Sequence, residues 1–182
     1  DHSITAREAF ALLLETARNQ FVTLRALVNK ELLVSAANGD PDFQYIGAEP
    51  CIRMALAKEF IFNAARVYRI LEHGAGPLRI SREQRKHCMA ALVKVVNVRG
   101  VNEHAYDPSI SSRRPLSRAS LHYHEADQVG VDETALAILS VDKILMGPLN
   151  LADVFKSIDS MCSVAGFNSL YQRPDQVEVS GS

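Results

Sequence analysis

The sequence predicts a mainly α fold: a four-helix up-and-down bundle with a β-hairpin inserted between helices 3 and 4. Three observations carry this. Apolar residues recur in steps of three and four through three long stretches and one shorter one. Helix-stopping residues separate those stretches. The period then drops to two in a single region late in the chain. With 182 residues, 47% apolar and 23% charged, the chain is long enough to bury a core as one domain, 1–182.

The first helix opens at Thr5-Ala-Arg-Glu8, the spacing of a capping box in which Thr5 accepts from the Glu8 amide. Phe10, Leu13, Leu14, Ala17, Phe21, Leu24, Val28 and Leu32 form its apolar stripe, and Asn38-Gly39-Asp40-Pro41 stops it. A second helix is expected from Pro50, a residue suited to a first helical position. Its stripe runs Ile52, Leu56, Phe60, Ala64, Val67, Tyr68 and Leu71, and Gly74-Ala-Gly-Pro77 closes it.

Ser81-Arg-Glu-Gln84 is another capping box and starts a third helix through Cys88, Leu92, Val95 and Val96. Gly100 weakens this helix by about 1 kcal/mol relative to alanine, and Asp107-Pro108 limits it. Residues 108–119 read as a loop carrying Arg113, Arg114 and Arg118. The hairpin is expected at about 119–147. It comprises an alternating strand Ser120–Glu125, a second strand Thr134–Ser140, and Lys143–Met146 as its extension past a Val-Asp turn.

Gly147-Pro148 breaks the hairpin and Asn150 caps a final helix whose apolar face is Leu151, Val154, Phe155, Ile158, Met161 and Cys162, ending at Gly166. The tail after about 173 is polar and expected to fray.

Charge and composition exclude several classes. A net charge of −1 supplies no global attraction for nucleic acid or an anionic membrane, so such affinity needs a local patch. No run approaches the ~20 apolar residues that span a bilayer, and the first residues lack a secretion-signal pattern. Cys51, Cys88 and Cys162 are odd in number and widely spaced, which reads as reduced core thiols of a cytoplasmic protein.

The stretch VRGVNEHAYD, 98–107, holds the best chemistry. RNA cleavage without a metal needs a base near the ribose 2′-hydroxyl and a cation for the developing phosphorane. Histidine and arginine suit those roles. Five residues on an ideal helix turn about 500°, leaving Arg99 and His104 about 140° apart. They meet only if the helix bends at Gly100 or if a second copy of the chain brings its own pair. Spacing alone fits a plainer account, in which His104 and Tyr106 decorate a helix C-terminus.

A bundle whose third helix ends in R-x4-H-x-Y, here Arg99, His104 and Tyr106 in RGVNEHAY, resembles the HEPN superfamily (higher eukaryotes and prokaryotes nucleotide-binding domains). With a hairpin and a last helix following, it looks most like the abortive-infection branch of AbiU-type proteins. The resemblance implies a cofactor-free, metal-independent endoribonuclease or RNA-binding domain of toxin or phage-defence type, whose homodimer lines one cleft with two motif copies. By that resemblance His104 is the base or leaving-group acid and Arg99 holds the scissile phosphate. Tyr106 matches a tyrosine that a nucleotidyltransferase partner modifies, so a cognate antitoxin or nucleotidyltransferase is the expected partner.

The polar residue usual after the arginine is replaced by Gly100, and Asn102 is the candidate to stand in for it. Arg113, Arg114 and Arg118 are candidates to steer RNA phosphates, or else a solvated loop. His122 and His124 share a strand side in the manner of metal ligands, with Glu125 and Asp127 nearby in sequence, but lack a third partner, and no metal is expected. Asn63 and Arg66 on the second helix are candidates to support the motif, with a solvent-facing role as the alternative. The chain has no Glu-x-x-His pair of the di-iron type. The competing function is a non-catalytic bundle that dimerises or binds a partner.

Overall fold

The structure, a computed structural model, describes residues 4–37, 50–104 and 136–167, with side chains for 4–30, 50–100, 136–163 and 165–167. The described residues form α1 (Ala6–Ala37), α2 (Pro50–His73), a 3-10 turn (Gly76–Leu78) and α3 (Arg82–His104). Three short strands follow, β1 (Leu136–Ser140), β2 (Lys143–Met146) and β3 (Leu149–Asn150), and then α4 (Leu151–Val164). The expected class holds: four helices with a small antiparallel sheet between the third and fourth.

Both predicted capping boxes close. The Thr5 amide donates to Glu8 Oε2 at 2.8 Å while the Glu8 amide donates to Thr5 Oγ1 at 3.2 Å. The Ser81 amide donates to Gln84 Oε1 at 3.1 Å while the Gln84 amide donates to Ser81 Oγ at 3.2 Å. In each case two amides with no intrahelical acceptor are satisfied reciprocally, so the helix starts where the sequence says.

Side-chain pairs fix the helix directions. Phe10 meets Phe167 edge-on at 5.3 Å, Arg18 pairs with Asp159 at 2.9 Å and Phe21 stacks on Phe155 at 4.7 Å. Numbers rise along α1 as they fall along α4, so these helices are antiparallel. Asn63 reaches Gln20 midway along α1 and α2, and Arg85 Nη2 donates to Glu72 O where α2 gives way to α3. Gln84 and Cys88 share a groove with Ser160 and Met161, and Lys94 shares another with Asp153, so α3 and α4 also run in opposite directions.

The four helices thus close a ring around one core of α1, α2, α3 and α4 side chains. Phe10, Leu14, Phe21, Phe60, Leu71, Leu92, Val95 and Ile158 are among those almost wholly removed from water.

Three expectations need correction. In α2 the buried stripe is Arg53, Ala57, Phe60, Ile61, Ala64, Val67 and Leu71, while Ile52 is 53% exposed. Placing Phe60 and Ile61 inward fixes the phase of the helix, and one and two turns earlier that phase selects Ala57 and Arg53 over the more apolar Ile52. Cys51 is exposed for the same reason, so only Cys88 and Cys162 are core thiols.

The third correction is a short strand, β3, after Gly147-Pro148, where the sequence predicts only a break. β1 pairs with β2 across Val141-Asp142, with Leu136 opposite Met146 and a bulge between Ile138 and Ser140. The segment 143–146 does extend the hairpin past the Val-Asp turn, and among the described residues it is the central strand of the order β1-β2-β3. Gly147, at φ 55°, turns the chain into β3. The expected strand Ser120–Glu125 lies outside the described residues.

Asn150 ties sheet to helix. Its Oδ1 accepts from the Ala152 amide at 3.2 Å as the cap of α4 and from the Ile144 amide at 3.3 Å in β2, while its Nδ2 donates to Asp142 O at 3.1 Å.

Candidate functional site

The motif occupies the last turns of α3. Val95 and Val98 point into the core with no exposure, which anchors the turn before the motif, and Arg99 follows half-buried. The helix continues through Gly100 to His104. A Cβ built on Gly100 meets nothing within 4 Å, so no close packing contact accounts for the glycine.

The helix does not unwind between Arg99 and His104, and on a regular helix the two positions stand about 140° apart. Asn102 and His104 lie on that helix, but their side chains lie outside the described residues. So do Tyr106, the loop arginines Arg113, Arg114 and Arg118, and the strand residues His122, His124, Glu125 and Asp127.

Sequence reasoning missed Arg53. Because α2 runs antiparallel to α3, with Glu72 beside Arg85 at one end, the first turn of α2 lies at the motif end of α3. Arg53 sits there with only 3% of its surface exposed, and burial pulls its pKa below the usual guanidinium value. A signal was present in the sequence: position 53 falls four residues before Ala57 on the inward face, where an aliphatic residue is usual.

The residues singled out as possible supports do something else. Asn63 is buried, donates from Nδ2 to Gln20 Oε1 at 2.9 Å and accepts on Oδ1 from Arg66 Nη1 at 3.3 Å. This network satisfies a polar group inside the α1–α2 contact, well away from the motif end.

The two histidines of α2 and α3 that are described take no part in the motif. His73 Nε2 pairs with Glu72 at 2.9 Å on the surface. His87 is exposed beside a groove lined by Cys88, Ser160 and Met161. The Cys88 thiol there is pushed up to about 12 by burial and by the neighbouring Cys162, so it is held as an inert thiol and not as a nucleophile. Among the described residues no three His, Cys, Asp or Glu side chains cluster as metal ligands, and no helix is long and apolar enough to cross a membrane.

Neither a family model nor a curated protein nor a solved structure matches this chain. The chemistry has to be argued from the residues alone. At the motif end of the bundle they offer one half-buried arginine, one deeply buried arginine across the helix pair, and a histidine position on the last turn of α3. A half-buried guanidinium such as that of Arg99 can hold phosphate oxygens, whereas Arg53 is too deeply buried to reach a ligand; an imidazole at the exit of the helix can move a proton.

Proposed function

We propose that this chain is a HEPN-like, metal-independent endoribonuclease or RNA-binding protein of toxin or phage-defence type, its composite site formed by two copies of the chain. The observation that carries this reading is the string Arg99-x4-His104-x-Tyr106 at the end of the third helix of an antiparallel four-helix bundle. In this reading His104 takes the proton of a ribose 2′-hydroxyl. That oxygen attacks the adjacent phosphorus and expels the 5′-oxygen, which is protonated as it leaves, giving a 2′,3′-cyclic phosphate. Arg99 holds the non-bridging oxygens as charge gathers on them.

Continuity of α3 through Gly100 favours assembly between copies: Arg99 of one copy works with His104 of the other. Arg113, Arg114, Arg118 and Asn102 are proposed to guide and orient the RNA, and Tyr106 to be the position that a cognate nucleotidyltransferase modifies. The same 140° separation favours a second reading, a non-catalytic bundle that dimerises or binds a partner through this end.

The test uses purified chain, single-stranded RNA and EDTA. Wild type should cleave, and Arg99→Ala and His104→Ala should each lose at least a hundredfold in rate. Mixing the two inactive variants should restore part of the rate, because a mixed dimer holds one site with both groups intact. Absence of cleavage by the wild type, and by a Gly100→Asn variant that restores the polar residue, would leave the interaction module as the better account.

A further inference from the structure

Among the described residues a concentration of positive charge lies at the opposite end of the bundle from the motif. Residues 66–87, the end of α2, the 3-10 turn and the start of α3, hold six Arg or Lys against two Glu, a net +4 in a chain whose total is −1. The excess is greater than the numbers suggest. Glu72 is already engaged by Arg69 at 2.9 Å and by His73 at 2.9 Å. Arg79, Arg82 and Lys86 are exposed, and among the described residues their side chains have no hydrogen-bond or ion-pair partner.

Arg79 adds an independent observation. It is the one non-glycine described residue at positive φ, 54°, a left-handed conformation that glycine or asparagine adopts far more readily. Its backbone caps the 3-10 turn, its amide donating to Gly76 O, a task that needs no side chain. Its side chain is exposed and packs against no core. An arginine in a position that suits glycine, with no structural use for its guanidinium, points to use by something outside the chain.

We propose that Arg79, Arg82 and Lys86, supported by Arg66 and Arg69, form an RNA phosphate-binding corner remote from the motif. The choice of RNA as the polyanion rests on the function proposed above; the surface itself rests on the charge and on Arg79. Guanidinium forks match phosphate oxygens bidentately, and contacts to phosphate need no particular base. An anionic membrane fits less well. None of the exposed large apolar side chains falls between 66 and 87, and stable membrane attachment needs an apolar anchor beside the basic one.

Seventeen residues separate Arg82 from Arg99, about 26 Å along α3. The corner would thus hold the flanking strand, not the scissile phosphate, and would set affinity for long RNA without taking part in cleavage.

The experiment measures anisotropy of a fluorescein-labelled 20-nucleotide single-stranded RNA with the full chain across a salt series, alongside vesicles containing phosphatidylserine. Arg82→Glu with Lys86→Glu should weaken RNA binding at least tenfold, alike for unrelated sequences. With Arg79→Gly added, the triple variant should show a slope of log affinity against log salt shallower than wild type's by about 2, three contacts at about 0.7 each for single strands.

Arg79→Gly alone should weaken binding without lowering the thermal midpoint, a pairing of signs that a purely structural arginine would not give. Equal RNA affinity for wild type and all variants overturns the proposal, as does a wild type that binds no RNA or that prefers the vesicles. Cleavage scored on the same samples separates the two readings. RNA bound at the corner but never cut removes the nuclease and keeps the corner; RNA cut at unchanged affinity in the variants does the reverse.

Discussion

The two core thiols show how a single residue's surroundings set its chemistry. Burial is the main cause raising both, to about 12 at Cys88 and about 11 at Cys162, against an ordinary value near 8.5–9. A thiol whose folded pKa lies above its unfolded one stabilises the fold fully below the unfolded value, and that contribution drains away as pH rises towards the folded value. The window here runs from about pH 9 to about pH 11–12. At pH 10 the expected loss relative to pH 7 is about 1.5 kcal/mol per thiol. Urea melts of wild type and of Cys88→Ala with Cys162→Ala between pH 7 and 10.5 check this: the variant starts less stable but should fall more slowly. Parallel curves would show that the thiols do not carry the alkaline loss.

Residues of this kind were only partly legible in advance. Cys88 and Cys162 sit in runs whose neighbours fix the helix phase, whereas Cys51 sits at a helix start, where one turn of apolar residues fits two phases equally well. Arg53 was missed because hydrophobicity ranks Ile52 above it, and only packing against α3 shows which of the two turns inward.

Among the elements, starts proved more legible than strand partners. A helix start is written locally, in the three residues that separate a capping hydroxyl from its carboxylate or amide, as at Thr5-Glu8 and Ser81-Gln84. A strand's partner depends on residues far away in sequence, and Lys143–Met146 took the centre of the sheet because a two-residue turn brings it against β1 at little entropic cost. The motif shows the same limit. Its position at the end of α3 was readable, but whether the helix bends at Gly100 depends on backbone continuity that residue spacing does not encode.

Asn150 is where element-level energetics can be tested. It serves the α4 amide, the β2 amide and a turn carbonyl at once. Asn150→Ala should cost about 2 kcal/mol, the usual value of a cap plus one further unsatisfied group. Asn150→Asp should keep the two bonds that Oδ1 accepts and lose the two that Nδ2 donates, to Asp142 O and Asp153 Oδ2, and thermal denaturation of the three proteins should rank them accordingly. A loss below about 0.5 kcal/mol in the alanine variant would mean the sheet and α4 dock independently of this side chain.

For the whole molecule the deciding feature is that the helix ring closes through its most distant parts. Arg7 of α1 donates to Leu78 O in the turn before α3 and to Ala165 O just past α4, 158 residues away, while its guanidinium lies 4.5 Å from the centre of the Phe167 ring. One side chain thereby joins three of the four corners at that end of the bundle. It stands at the same end of the bundle as Arg79, while Arg99 and His104 lie at the other end of α3.

That clasp also sets an order of events in time. Contacts between α1 and α4 must wait for the longest loop in the chain to close, so the α2–α3 pair, joined by eight residues, is expected to assemble first and α4 to dock late. Arg7 then belongs to the last step. Replacing it with alanine should speed unfolding about thirtyfold, for a loss of about 2 kcal/mol, and leave the refolding rate nearly untouched. Stopped-flow chevrons read both limbs. A fall in the refolding rate of similar size would put the clasp in the folding nucleus, and the bundle would then have to be gathered from its ends inwards.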